Sequence, residues 1–201
     1  MVIRRFLFSW VCLLASSLFM YGQVAVKTNV AIDAVAIPNL GVEVGLSKKL
    51  TVDIPFYYNP WKYSDNKMLK LVMVQPELRY WLCDKFNGHF FGFHLMGGAY
   101  NTTGIDLPFS PFDDLKDFRY KGHFYGGGGG LCLLIFCGGG VSYGYQFVLG
   151  RHWNLGATIG LGYAYVRYKK YECEECGDML EKSNKNYWGP TKAALNLIYI
   201  F

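Results

Sequence analysis

The sequence predicts an all-β protein, an eight-stranded antiparallel up-and-down transmembrane β-barrel. Three observations carry this. Side chains alternate with period two along nearly the whole chain after residue 23. An export signal precedes that region, and no helical span follows it. The connections between alternating segments are short and long by turns, except that the first, around Ala34 to Asn39, is short where a long one would fall. Composition excludes the other classes. Of 201 residues, 18% are aromatic, 17% are charged and 24 are Gly. That is too apolar for a disordered chain and too rich in glycine for a helical bundle.

At the N-terminus, Arg4 and Arg5 form a basic start and Phe6 to Leu14 an apolar core broken only by Ser9. Ala15, Ser16, Ser17 and Gly22 supply small residues for cleavage. Residues 1–22 are therefore expected to be a signal peptide, with cleavage near Gly22 (Ser17 is the alternative), and 23–201 the barrel domain. The apolar stretch ends near Tyr21, short of the ~20 residues a spanning helix needs. Cys12 has no lipobox around it. Further on, the longest apolar run is Leu131 to Cys137. Removing Arg4 and Arg5 lowers the formal charge from +5 to +3, too weak a charge to argue for nucleic acid.

The strands follow in order. In 24–33, Val24, Val26, Thr28, Val30 and Ile32 oppose Ala25, Lys27, Asn29, Ala31 and Asp33. In 40–46, Leu40, Val42, Val44 and Leu46 oppose Gly41, Glu43 and Gly45. In 51–59, Val52, Ile54, Phe56 and Tyr58 oppose Thr51, Asp53, Pro55 and Tyr57. In 70–82, Val72, Val74, Leu78, Tyr80 and Leu82 oppose Gln75, Glu77, Arg79 and Trp81. The strand at 89–100 sets Phe91, Phe93 and Leu95 against Gly92, His94 and Met96. That at 141–149 sets Val141, Tyr143, Tyr145 and Phe147 against Ser142, Gly144 and Gln146. That at 154–168 sets Leu155, Ile159, Leu161, Tyr163 and Tyr165 against Gly156, Thr158 and Gly160. The last sets Ala193, Leu195, Leu197, Tyr199 and Phe201 against Lys192, Ala194 and Asn196.

Each strand thus has one bulky apolar face and one of Gly and polar residues. A barrel in water would turn the bulky face inward. Here the charges Lys27, Glu43, Asp53, Glu77, Arg79 and Lys192 share the opposite face. The arrangement makes sense with those charges inside and the apolar face on lipid. Tyr58, Tyr80, Tyr163, Tyr165, Tyr199 and Phe201 are then boundary aromatics. Outer loops are expected at about 59–69, 101–120 and 169–189, with both chain ends at the opposite, periplasmic rim. Tyr199 and Phe201 end the chain as an expected C-terminal signal for the barrel-assembly machinery. The six inward charges are expected to pair across a lumen just wide enough for side chains.

No catalytic, cofactor or metal site is expected. Cys173 and Cys176 form a lone C-x-x-C in the last long loop, without a second ligand pair for zinc. A loop-stiffening disulfide is the default reading, and metal binding with Glu172, Glu174 or Glu175 the alternative. Cys132 and Cys137 offer a second short-range disulfide, whereas Cys83 has no obvious mate. The four histidines show no metal spacing, and Ser142 lacks a nucleophile-elbow context. The glycines at 126–130 lack the Gly-Lys-Ser/Thr of a phosphate loop.

Several strings match a known pattern: AVKTN (25–29), PNLGVEVGL (38–46), NPWKYSDNK (59–67), VQPELRYW (74–81), NGHFFGFHLMGGAYN (87–101), VSYGYQ (141–146), LGYAYVRYKKYECEECG (161–177) and GPTKAALNLIY (189–199). Together they resemble an uncharacterised family of small outer-membrane proteins, named only as a domain of unknown function. Many members of it lie near fimbrial-subunit genes in anaerobic Gram-negative bacteria. The resemblance implies an outer-membrane location and an association with surface or fimbrial proteins, and no activity. One stretch departs from that pattern. Residues 126–140 read GGGGGLCLLIFCGGG, are apolar on both parities, and are expected to be an insertion at the outer rim. The functional expectation is a plugged barrel with a structural or surface-recognition role. A narrow ion or solute channel and a secreted lipocalin-like carrier are the alternatives.

Overall fold

The computed structural model describes residues 23–64, 67–103, 118–125, 139–172 and 179–201. The expected signal peptide lies outside them. The elements are β1 (Val24–Asn29), α1 (Val30–Asp33), β2 (Asn39–Gly45), β3 (Leu50–Asn59), β4 (Lys62–Ser64), β5 (Lys67–Val74), β6 (Glu77–Trp81), β7 (Gly88–His94), β8 (Gly97–Thr103), β9 (Phe118–Tyr125), β10 (Gly140–Val148), β11 (Trp153–Glu172) and β12 (Met179–Ile200). They form one antiparallel sheet. The succession β10-β7-β6-β3-β2-β1-β12-β11 returns to β10 through the β10–β11 ladder, so eight strands close into a ring. A closed ring has no unpaired edge.

Register shows that three of the walls are each built from two elements. β3 pairs Asp53 with Glu77 and Phe56 with Val74, so no residue is gained or lost across Gln75–Pro76. β5 and β6 are thus one strand, interrupted where Pro76 has no N–H to give. β7 and β8 continue in the same way, pairing His94 with Glu77 and Gly97 with Val74. The third wall differs. Tyr125 pairs with Gly97 and Tyr165, and Gly140 pairs with His94 and Gly162. Fourteen residues separate Tyr125 from Gly140, against two between the partners on either side. The wall therefore carries twelve extra residues. Twelve is even, so the side chains of β10 keep the faces they would have in an unbroken strand. Of the expected insertion, 126–139 includes residues outside the described set, and Gly140 opens β10.

These interruptions share one height around the ring. Pro55 lies opposite Gln75, beside Pro76 on the next strand, and Leu161 of β11 faces Pro190. There β12 gains one residue, because Gly160 pairs with Lys192 and Leu161 already with Pro190. Thr191 is the bulged residue.

Two expectations need correcting. The first strand stops at Asn29, not Asp33, and α1 follows. Asp33 accepts from Thr28 Oγ1 (2.5 Å) and from Asn39 Nδ2 (2.7 Å), which folds the chain back onto β2 and outweighs the apolar alternation. Two of the expected long loops, 59–69 and 169–189, are also largely strand, whereas most of 101–120 lies outside the described residues. Residues 59–69 hold β4 and the start of β5, β8 and β9 reach into 101–120, and β11 and β12 pair from Tyr163–Trp188 to Tyr171–Met179 across 169–189. Apolar alternation fades beyond Tyr165, yet backbone pairing needs no apolar face. Polar cross-strand pairs such as Lys170–Glu181 continue the ladder instead.

The bulky face points away from the ring axis throughout. Phe93 is 54% and Leu195 48% exposed, and Leu197 is half-buried. Ile54, Leu78, Ile159 and Leu161 are exposed in the same way. Outward aromatics meet at two levels, and Phe91 and Tyr143 lie between them, 5.4 Å apart. Tyr199 meets Trp153 at 5.1 Å and Phe201 at 5.0 Å near the short turns, and Tyr163 meets Trp188 at 4.8 Å ten residues farther along β11.

Candidate functional site

The inward face is filled in three layers. Nearest the short turns lies an apolar cluster of Ala25, Trp81, Phe86, Phe90 and Ile198. Trp81 packs at 4.8 Å from Phe90 and 6.1 Å from Phe86. Phe86 comes from the 82–87 turn and takes the left-handed conformation (φ 63°), which folds its ring under the strands. Asn154 Nδ2 donates to its carbonyl at 2.8 Å. This layer closes one end of the ring.

Above it sit the six charges that the alternation placed inward, all buried. Lys27 Nζ lies 2.6 Å from Glu43 and 2.8 Å from Asp53. Arg79 is the hub. Its Nε donates to Glu77 at 2.6 Å, Nη1 to Glu43 at 2.7 Å, and Nη2 stands 2.8 Å from Asp53. Lys192 donates to Glu77 at 2.8 Å and stands 3.9 Å from Asp53. Three acids meet three bases, so the layer is neutral. Hydroxyls complete it. Ser142 donates to Glu77, and Thr51 to Glu43 at 2.5 Å, while Thr51 accepts from the Trp81 indole at 3.0 Å. The Arg79 guanidinium lies 4.5 Å from the centre of the Phe90 ring, which joins the charge layer to the apolar cap.

The third layer ties β12 across the ring. The bulge presents Thr191 inward, where its carbonyl accepts from Gln75 Nε2 at 2.9 Å and its hydroxyl lies 2.9 Å from His94 Nε2. The bulge thus re-aims a residue toward the opposite wall. Asn29, where β1 ends, accepts from Leu195 N at 3.1 Å and donates to the Ala193 carbonyl at 3.2 Å. It continues the β1–β12 ladder with its side chain.

Glycine makes room for this packing. A Cβ at Gly92 would collide with Ser142 Oγ and Glu77 Oε1, and one at Gly144 with the Phe90 ring. Every carboxylate of the layer is held by a cation and the Ser142 hydroxyl is engaged by Glu77, so the chemistry on view is structural cross-linking of the walls.

All six predicted inward charges come together: Lys27, Glu43, Asp53, Glu77, Arg79 and Lys192. Tyr199 and Phe201 point outward at the short-turn rim. The cysteines at 132, 137, 173 and 176 lie outside the described residues, and Cys83 is exposed with a free thiol. Sequence reasoning missed the cap and the Thr191 contacts. Parity had put Trp81, Thr51 and Ser142 inward, but nothing local marked Phe86 or the bulge.

These layers define an antiparallel all-β ring with an apolar outside and a neutral salt-bridged inside. Within that class the chain belongs to the family described as protein of unknown function, DUF3575, whose model matches residues 8–201. No curated protein and no solved structure matches it.

Proposed function

We propose that the chain is an outer-membrane β-barrel, exported by an N-terminal signal peptide, whose interior is plugged and whose role is structural and surface-recognising. The observation that carries this is the inversion of its faces. Leu, Ile, Val and Phe side chains point outward around the ring, and six ionised ones point inward. In water such an outside would be a very large apolar patch, whereas in a bilayer it is the expected outer band. Trp153 to Tyr163 spans eleven residues, the length of one membrane-crossing strand. The long hairpins then stand outside the cell as the recognition surface, and the family resemblance adds surface-appendage proteins as the partner class.

The neutral charge layer and the aromatic cap support a plug over a channel. Membrane fractionation and gel migration with and without heating test the barrel: the expected result is an outer-membrane protein whose band shifts on boiling. A chain that stays folded in detergent-free buffer overturns it. Planar-bilayer recording tests the plug, and steady current lost on Glu77→Ala would replace it with a channel.

A further inference from the structure

A row of basic residues climbs the outward face from the edge of the apolar band at Lys70 to Lys169, six residues past Tyr163. Cross-strand partners run Lys70–Asn101, Asn101–Lys121, Lys121–Lys169 and Lys169–Lys182, over β5, β8, β9, β11 and β12. The neighbouring row toward the short turns runs Tyr58–Val72–Ala99–His123–Arg167, apolar at one end and basic at the other. All four lysines are exposed, and among the described residues they form no ion pair.

Directly opposed like charges destabilise a sheet. Lys121, Lys169 and Lys182 are opposed twice over, while one residue along the same strands Lys170 faces Glu181. The repulsion is therefore confined to this face, and an anion seated there would relieve it. A cleft of about 350 Å³ lies at the apolar end of the rows, lined in part by Tyr58, Lys70, Val72, Ala99, Lys121 and His123. Lys70 is twelve residues from Leu82 at the short-turn rim. At ~3.3 Å per residue and a strand tilt of ~40°, that is about 30 Å along the axis, just past an apolar band ~25 Å tall, while Lys169, sixteen residues from Trp153, stands at about 40 Å.

We propose that this row binds the headgroup of an outer-leaflet lipid carrying two or more phosphates, with its acyl chains on Val72, Val74 and the band below. The inference rests on the membrane reading. It adds that one sector of the wall, and not the whole circumference, selects an anionic lipid.

The test uses the full mature chain refolded in neutral detergent micelles. Native mass spectrometry and the unfolding midpoint are read with a bisphosphorylated glucosamine lipid, with its dephosphorylated form, and with inorganic pyrophosphate. The expected result is retention of the bisphosphorylated lipid and a raised midpoint, with the dephosphorylated lipid without effect. Lys121→Gln/Lys169→Gln weakens binding roughly 25-fold, at about fivefold per lysine near a charged membrane surface. In neutral micelles the same variant is at least as stable as the parent, because the opposed charges are gone. Equal retention of both lipids, an unchanged affinity in the double variant, or protection by pyrophosphate as strong as by the lipid overturns the proposal while leaving the barrel intact. A chain folded in water without detergent overturns both.

Discussion

Replacing Arg79 with Met tests whether the charge layer holds the walls together. Met keeps much of the side-chain length, so the loss is chiefly electrostatic. The guanidinium touches Glu77, Glu43 and Asp53 at 2.6, 2.7 and 2.8 Å. Without it three carboxylates face only Lys27 and Lys192, and the neutral layer gains one net negative charge. Breaking a buried pair by removing one partner costs about 3–5 kcal/mol. Glu43 keeps Lys27 and Thr51, and Glu77 keeps Lys192 and Ser142. Asp53 keeps Lys27 at 2.8 Å and Lys192 at 3.9 Å, so the uncompensated charge is shared by Glu43 and Asp53, which both lean on Lys27. The assay is urea unfolding in lipid vesicles at neutral pH, read by circular dichroism and by gel migration. Arg79→Met should lower the unfolding free energy by about 3–5 kcal/mol, and Arg79→Met/Glu43→Gln, which restores neutrality, should recover at least half. A single variant within about 1 kcal/mol of the parent, or a double variant weaker than the single, would refute the reasoning.

Three further outcomes follow from the same geometry. Leu195→Lys, on the outward face midway between the two aromatic levels, should cost about 2–4 kcal/mol in vesicles; a change within about 0.5 kcal/mol would mean that this face meets water. Gly92→Val should leave most of the chain unfolded after refolding into micelles, since its Cβ meets Ser142 and Glu77, and a normal folded band would show that the layer has slack. Deleting residues 127–138 removes twelve residues and should preserve heat-modifiable migration, whereas deleting 127–137 shifts β10 by one residue, turns Val141 inward and should abolish it.

Much of this was legible because a strand's period of two is a strong local signal. Lys27, Glu43, Asp53, Glu77, Arg79 and Lys192 are far apart in sequence, yet parity put all of them on one side, and closure of the ring brought them together. What parity could not supply was distance along the axis. That Arg79 meets three acids depends on the stagger of neighbouring strands, which only the ladders reveal. The cap was hidden for another reason: Phe86 sits in a turn and reaches inward through a left-handed backbone. The long hairpins were read as loops because the signal was apolar alternation, and it ends near Tyr165, while hydrogen bonding between β11 and β12 runs on to Tyr171–Met179. Thr191 is invisible to pattern reading, since one added residue in β12 changes no composition.

Pro55, Pro76 and Pro190 form a belt of missing donors at one latitude. Below it the staves are clamped by salt bridges and an aromatic floor; above it they are joined mostly by backbone ladders. Such a molecule behaves like a cup with a stiff base and a compliant lip. Force applied to the hairpins would be spent in that belt, where hydrogen bonds are already fewest, before it reached the seal beneath. The hairpin end would then change shape while the base stayed shut.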